Sequence, residues 1–396
     1  MAANTTEQAI PPGRTLGVDD LLANGEIIVC CGAGGVGKTT TAAALGLRAA
    51  ERGRTVCVLT IDPARRLAQS MGLTELDNTP RAVSGVDTAA GGRLDAMMLD
   101  MKRTFDDIVL THADPERAEA ILGNPFYVSL SSSFAGTQEY MAMEKLSQLK
   151  ANGGWDLIVV DTPPSRSALD FLDAPQRLGR FLDGRMIRML TAPARAGGRA
   201  YMKVFSLGMK VFTDALNRLL GAQMLHDLGL FVASLETMFG GFRQRADQTY
   251  RLLKEDGTSF VVVAAPERDA LREAAYFVER LEGDAMPLAG VIVNRVHSTA
   301  APGLSLQRSL AAAEALDETE DEPLTSAVLR VHAERLAIAA RDDRLTTRFR
   351  AAHPEVPVVQ VAAQAGDVHD LEGLRMIGAE LSNGPTASAP RVAVND

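Results

Sequence analysis

Short, unbroken apolar runs recur along the chain. They span Glu26–Cys31, Thr55–Ile61, Leu94–Leu99, Trp155–Asp161, Ser259–Ala265, Ala289–Asn294 and Val356–Val361. Most are continuous Val, Ile, Leu and Ala stretches without the alternation of a strand that has one wet face. Such runs predict strands buried on both sides. Helical patterns lie between them. The combination predicts an α/β fold with a mostly parallel sheet covered by helices.

Two segments break this rhythm. Residues from about 101 to 150 and from about 176 to 250 lack strand-like runs and carry helical spacing. In the second, Met224, Leu228, Phe231, Leu235, Met238 and Phe242 step by 4, 3, 4, 3 and 4, and Leu225, Val232 and Phe239 widen the stripe. That spacing predicts a long amphipathic helix. Tyr201, Val204, Phe205, Met209 and Phe212 predict another upstream. Together the two segments predict an inserted α-helical subdomain on one edge of the core. Residues 1–20 read as a loose arm, 21–382 as the main domain and 383–396 as a disordered tail. The acidic run Asp317–Glu322 reads as a solvated loop.

Composition narrows the function. Lys and Arg total 41 against 50 Asp and Glu in 396 residues, a net charge of −9. That balance disfavours a non-specific nucleic-acid coat, so no nucleic-acid partner is expected. No uncharged apolar run reaches the ~18 residues of a membrane span. The longest candidate, Leu228–Phe242, is short and holds Glu236. Cys30, Cys31 and Cys57 are too few for a disulfide framework, and a reduced, cytoplasmic setting is the simple reading. Cys30 and Cys31 are adjacent on a strand and point to opposite faces, so they read as buried structural residues. The six histidines show no i, i+4 pairing, and no C-x-x-C occurs.

The chemistry begins at Gly32-Ala33-Gly34-Gly35-Val36-Gly37-Lys38-Thr39, a full match to G-x-x-x-x-G-K-[ST]. A buried-strand run precedes it, and a helical run opening with Thr39 and Thr40 follows. Glycines at such spacing turn backbone N–H groups inward around phosphates, and the helix N-terminus adds its dipole. Gly34, Gly35, Val36, Gly37, Lys38, Thr39 and Thr40 are therefore candidate nucleotide contacts. Lys38 would bridge the β- and γ-phosphates, and Thr39 would ligate Mg²⁺. Asp161 closes the run WDLIVVD, where a strand-end carboxylate completes the metal shell.

The loop GAGGVGKTT resembles the G-K-G-G-V-G-K-T-T loop of the deviant Walker A ATPases. This class includes MinD, ParA, the nitrogenase iron protein and the arsenite-pump ATPase (ArsA) family, with its eukaryotic ATPase for tail-anchored proteins. Four more stretches are similar to the last branch: Asp62-Pro63-Ala64, Asp161-Thr162-Pro163-Pro164 with Phe171-Leu172 and Pro175, Pro266-Glu267, and Val291-Ile292-Val293-Asn294. They run from about residue 25 to about 375 and identify a bacterial-type member with a single loop. The resemblance implies an ATPase using ATP and Mg²⁺, with Asp62 orienting the attacking water and Asn294 reading the adenine edge. From the residues alone, Asp62 also suits a helix N-cap and Asn294 a strand-end turn. The resemblance further implies a dimer switched by nucleotide; the Met- and Phe-rich helical stripe reads either as a groove for a hydrophobic protein client or as a face packed on the core or across a dimer.

Three features depart from the family pattern. Its signature lysine is replaced by Ala33, which supplies no charge to the transition state. The chain is then a slow ATPase, a partner of a lysine-bearing subunit, or an enzyme in which Arg65, Arg66 or Arg166 substitutes. Homodimer and heterodimer both remain open. Ser165-Arg166-Ser167-Ala168 stand where the family often reads T-G-H-T. The zinc clasp and the metalloid thiolates of relatives are missing. A weakly active regulatory or scaffold subunit and a ParA/MinD-like positioning ATPase are the alternatives.

Overall fold

A computed structural model describes residues 16–62, 66–124, 127–128, 137–163, 244–245, 247–299, 301, 303–319 and 322–382. The Met224–Phe242 stripe, the Tyr201–Phe212 pattern, Arg65, Arg166, the Phe171–Pro175 stretch and the tail from Asn383 lie outside these residues. The strands are β1 Ile27–Gly32, β2 Thr55–Thr60, β3 Arg81–Ala82, β4 Arg93–Met98, β5 Leu157–Asp161, β6 Thr258–Ala264, β7 Leu288–Val296 and β8 Val358–Ala362. The apolar runs thus coincide with all but β3. β3 has two exposed residues and no apolar signal to betray it.

The strands form one sheet in the order β3-β4-β2-β5-β1-β6-β7-β8. Every pairing is parallel except β3 against β4. The order explains the unbroken runs: β1 is flanked by β5 and β6, and all six of its residues are buried. The direction of winding reverses at β1, since β2 lies beyond β5 on one side while β6, β7 and β8 follow on the other. Open α/β sheets bind ligands outside the carboxyl ends of the strands at such a reversal.

The chain divides into two compact units. One holds the described residues of Met1–Met98, Gly153–Ala168 and Leu253–Asp396, and the other those of Leu99–Asn152 and Leu169–Leu252. In the first, the helix Lys38–Glu51 covers the sheet through Ala42, Ala43, Ala44, Leu45 and Leu47, all fully buried. Its alanines and Gly46 allow close approach: a Cβ at Gly46 would lie 2.5 Å from Val58 Cγ2. The helix Val18–Asn24 begins inside the stretch expected as a loose arm, with Leu16, Val18 and Leu22 buried. Further on, Arg268–Gly283, Leu306–Thr319, Pro323–Ala352 and Leu371–Ser382 are helical.

The acidic run is not wholly a loop. Asp317, Glu318 and Thr319 form the end of the helix Leu306–Thr319, and Glu322 precedes the 30-residue helix Pro323–Ala352. Asp317 accepts from Ser326 Oγ and Arg330 Nη2 across the two helices while staying exposed.

In the second unit, the helix Met101–His112 is capped by Asp100, whose side chain accepts from Arg103 N at 2.9 Å. Tyr127 packs edge-on against Phe105 with ring centroids 5.5 Å apart and donates to Asp106 Oδ1 at 2.5 Å. The helix Thr137–Asn152 carries buried Glu144, which Arg245 meets at 2.9 Å.

Candidate nucleotide site

The turn from β1 into the helix Lys38–Glu51 depends on glycine. Gly32 has φ +146°, and a Cβ there would lie 2.0 Å from Val263 O on β6. Gly37 has φ +93° and immediately precedes the helix, which receives no side-chain cap. Its first-turn N–H groups are thus left for another acceptor, the arrangement that holds anions at helix N-termini. Gly34 and Gly35 are exposed, and nothing lies within 4 Å of a Cβ built on Gly35. Thr40 is half-buried in the first helical turn.

Lys38 is buried at the base of this loop, and its Nζ donates to Ala33 O at 2.8 Å. Burial lowers its pKa, while the Asp161 carboxylate works in the opposite direction. Ala33 itself packs within the apolar core cluster, so position 33 offers a backbone carbonyl and no cation.

Parallel register brings three strand ends level. Cys30 of β1 and Thr60 of β2 both pair with Asp161 of β5. Asp161 Oδ2 accepts from Thr39 Oγ1 at 2.8 Å and from Thr60 Oγ1 at 2.9 Å. Its Oδ1 is buried and has no hydrogen-bond partner among the described residues. Burial raises the carboxyl to a pKa of about 6, opposed by those two hydroxyls and by Lys38. A buried carboxylate oxygen with no donor, beside a threonine hydroxyl, suits a hard divalent cation that takes oxygen ligands. The residues present therefore fit Mg²⁺.

Asp62 is half-buried just beyond β2, and its backbone N–H donates to Thr60 Oγ1 at 3.2 Å. Thr60 thus joins the Asp161 carboxylate to the chain that carries Asp62. Thr162 fastens the other flank, donating from Oγ1 to Cys30 O at 2.8 Å. Sequence reasoning passed over Thr60 and named Thr162 only within a motif, with no role of its own. Their signal lies in strand register, which a run of residues does not display.

Asn294 lies near the end of β7 and is buried. Its Nδ2 donates to Val36 O in the loop at 2.9 Å, and its Oδ1 accepts from Arg295 N at 3.0 Å. The loop residues, Asp161 and Asn294 therefore meet at one end of the sheet. Pro266 and Glu267 follow β6, and Glu267 stands at the start of the helix Arg268–Gly283 without a side-chain cap bond. Arg66 is exposed on the short helix Arg66–Ser70. All three cysteines are buried thiols outside any disulfide, and Cys31 Sγ donates to Val261 O at 3.7 Å. Among the described residues, no helix is long and apolar enough to cross a membrane.

Comparison with known proteins agrees with this geometry. ATPase GET3 of Podospora anserina is 27% identical over 268 residues, covering 67% of this chain and 71% of that protein. ATPase get3 of Pyrenophora tritici-repentis is 27% identical over 271 residues, 67% of this chain and 72% of its own length. The ATPase ASNA1 homolog of Cryptosporidium parvum is 24% identical over 265 residues, 67% of this chain and 63% of its own. The model of the anion-transporting ATPase family matches residues 25–322, from the start of β1 through the end of the acidic run. The chain belongs to the anion-transporting ATPase family.

Proposed function

We propose that this protein binds ATP at the loop Gly32–Thr39 and hydrolyses it slowly, using the cycle to switch its association with a second subunit. One observation carries the reading: Lys38, Thr39 and Asp161 converge at the carboxyl ends of β1 and β5, with Asp161 Oδ1 left without a partner. Loop amides and Lys38 would hold the phosphates, with Thr40 and Val36 completing the loop's contact surface. Thr39 and Asp161 would hold Mg²⁺, which supplies charge neutralisation at the phosphates when bound. Asp62 would orient water for in-line attack on the γ-phosphate and accept its proton. Its tether to Thr60 supports this role, because the hydroxyl that steadies Asp161 also steadies the Asp62 backbone.

The Asp62→Asn substitution tests the catalytic part. ATP turnover is expected to fall by ~10²–10⁴ with little change in ATP affinity, whereas unchanged turnover would remove Asp62 from the chemistry. Lys38→Ala serves as the control and is expected to lose both binding and turnover.

Association and client are further parts of the proposal. The helical unit would receive a hydrophobic protein segment, and nucleotide would set the dimer. Ala33 favours a second reading beside the first. A subunit without the signature cation turns over ATP weakly by itself and gains rate from a lysine-bearing partner, since an added cation is worth ~10³–10⁵ in phosphoryl transfer. Light scattering with ADP and with a non-hydrolysable ATP analogue plus Mg²⁺ separates the two. An ATP-specific homodimer supports the first reading. A nucleotide-bound monomer supports the second.

A further inference from the structure

We infer that Asn294 is a positioning residue of the phosphate loop, so that its amide acts on the phosphates through Val36 and Gly37 whatever base the nucleotide carries. The geometry is specific. Asn294 Nδ2 donates to Val36 O at 2.9 Å. A trans peptide is planar, so its C=O and N–H point in opposite directions. Holding the Val36 carbonyl against Asn294 therefore turns the Gly37 N–H to the other side of the loop, where it can act as one donor of the anion nest. The amide also occupies the space that a side chain at position 37 would need. A Cβ on Gly37 would lie 2.2 Å from Asn294 Nδ2. Gly37 is thus required twice, by its φ of +93° and by the amide beside it.

The other end of the amide secures Asn294 itself. Arg295 has φ +63°, a left-handed backbone that a non-glycine residue adopts only at a cost. Asn294 Oδ1 accepts the Arg295 N–H at 3.0 Å and so stabilises this irregular stretch of β7. Asn294 is only 7% exposed. Each bond takes one of the two Nδ2 hydrogens or one of the two Oδ1 lone pairs. Both ends are bonded to backbone, one in the loop after β1 and one at the register shift within β7. The end of β7 and the loop become one mechanical unit.

The inference rests on the nucleotide reading above only in its consequence, and the first test needs no nucleotide. Hydrogen exchange is measured on the nucleotide-free, full-length chain, wild type against Asn294→Ala. Loop amides from Ala33 to Lys38 are expected to exchange roughly ten-fold faster, with the β1 and β6 amides unchanged. Unaltered loop exchange would overturn the brace. If the loop loosens as expected while the wild type binds no ATP, the proposed function fails and the brace stands.

The second test compares ATP with inorganic tripolyphosphate, each with Mg²⁺. Asn294→Ala is expected to weaken both by roughly ten-fold, leaving their ratio unchanged. A loss confined to ATP would overturn the inference and return Asn294 to base recognition. Asn294→Asp sharpens the result. It keeps the acceptor for Arg295 N–H but sets an oxygen against Val36 O. It is expected to behave as badly as the alanine variant, and wild-type behaviour would overturn the role of the Val36 bond.

Discussion

Two aspartates are buried in the same sheet under opposite terms. Toward the amino ends of the strands, Asp95 of β4 accepts from Trp155 Nε1 at 2.8 Å and pairs with Arg93 at 2.9 Å. Nearby, Arg54 donates to Leu22 O, Gly25 O and Asp156 O, each at 2.6 Å. Every charge there has its answer within the chain. At the carboxyl ends, Asp161 is more deeply buried, receives two neutral hydroxyls on one oxygen and leaves the other bare. Left-handed Gly37 and Arg295 stand at that same end. One end of the sheet spends its polar groups on holding the fold. The other also bonds Lys38, Thr39, Thr60 and Asn294 within the chain, but leaves one buried carboxylate oxygen without a partner among the described residues.

Replacing Asp161 tests this contrast most severely. Asp161→Asn is expected to lower Mg²⁺-dependent ATP binding by ~10² or more, because the carboxylate is the only charged group of the proposed metal shell. The nucleotide-free protein should respond in the opposite direction. Raising this carboxyl from its ordinary 3.8 to about 6 corresponds to a burial cost on the order of 3 kcal/mol above pH 6. The cost fades as the pH falls through about 6 toward 3.8, where the folded state binds the proton first. The asparagine variant should therefore melt higher than the wild type at pH 7.5, and the gap should shrink to about half at pH 5 and vanish only near the ordinary value of 3.8. Thermal melts at both values check the sign. A variant less stable at pH 7.5, with a gap independent of pH, would mean that Asp161 is already compensated.

The amino end should show the reverse. Arg54→Ala removes three short, charge-assisted bonds to carbonyls that cap the helix Val18–Asn24 and the entry to β5. A loss of about 2–3 kcal/mol is expected in chemical denaturation, with ATP turnover unchanged well below the melting temperature. A fall in turnover without a fall in stability would erase the distinction between the two ends.

How much of this was legible in the sequence follows the same division. The strands β1, β2, β5, β6 and β7 announce themselves because their central residues are buried on both faces and read as near-continuous apolar runs, whereas Asp95 interrupts β4 and Gln360 the edge strand β8. The phosphate loop is legible because glycine, lysine and threonine must stand at fixed offsets for a backbone to wrap phosphates. Thr60 was not legible. It matters only because β2 lies beside β5 in a register that sets it opposite Asp161. Asn294 was visible as a residue but not as a brace, since its partner is 258 positions away. The acidic run misled in a different way. Asp317, Glu318 and Glu322 are exposed as the charge density suggests, yet Asp317–Thr319 end a helix, and Asp317 joins two successive helices through Ser326 and Arg330.

The smallest effect belongs to Trp155, the chain's single tryptophan. Trp155→Phe keeps most of the apolar surface and removes only the indole N–H that reaches Asp95. Asp95 is 6% exposed and keeps Arg93, so its charge is not left unpaired. The expected loss is about 1 kcal/mol, read by circular dichroism in urea because the substitution also removes the fluorescence signal. Arg93→Ala alone should cost a similar amount for the same reason, with Trp155 still in place. The double variant strips Asp95 of both partners. It should cost more than the two singles added together, by about 1–2 kcal/mol, because only then does a buried carboxylate stand without a donor. Additive losses would show that Asp95 reaches water at the amino end as easily as it reaches its partners, and the contrast with Asp161 would then rest on depth of burial alone.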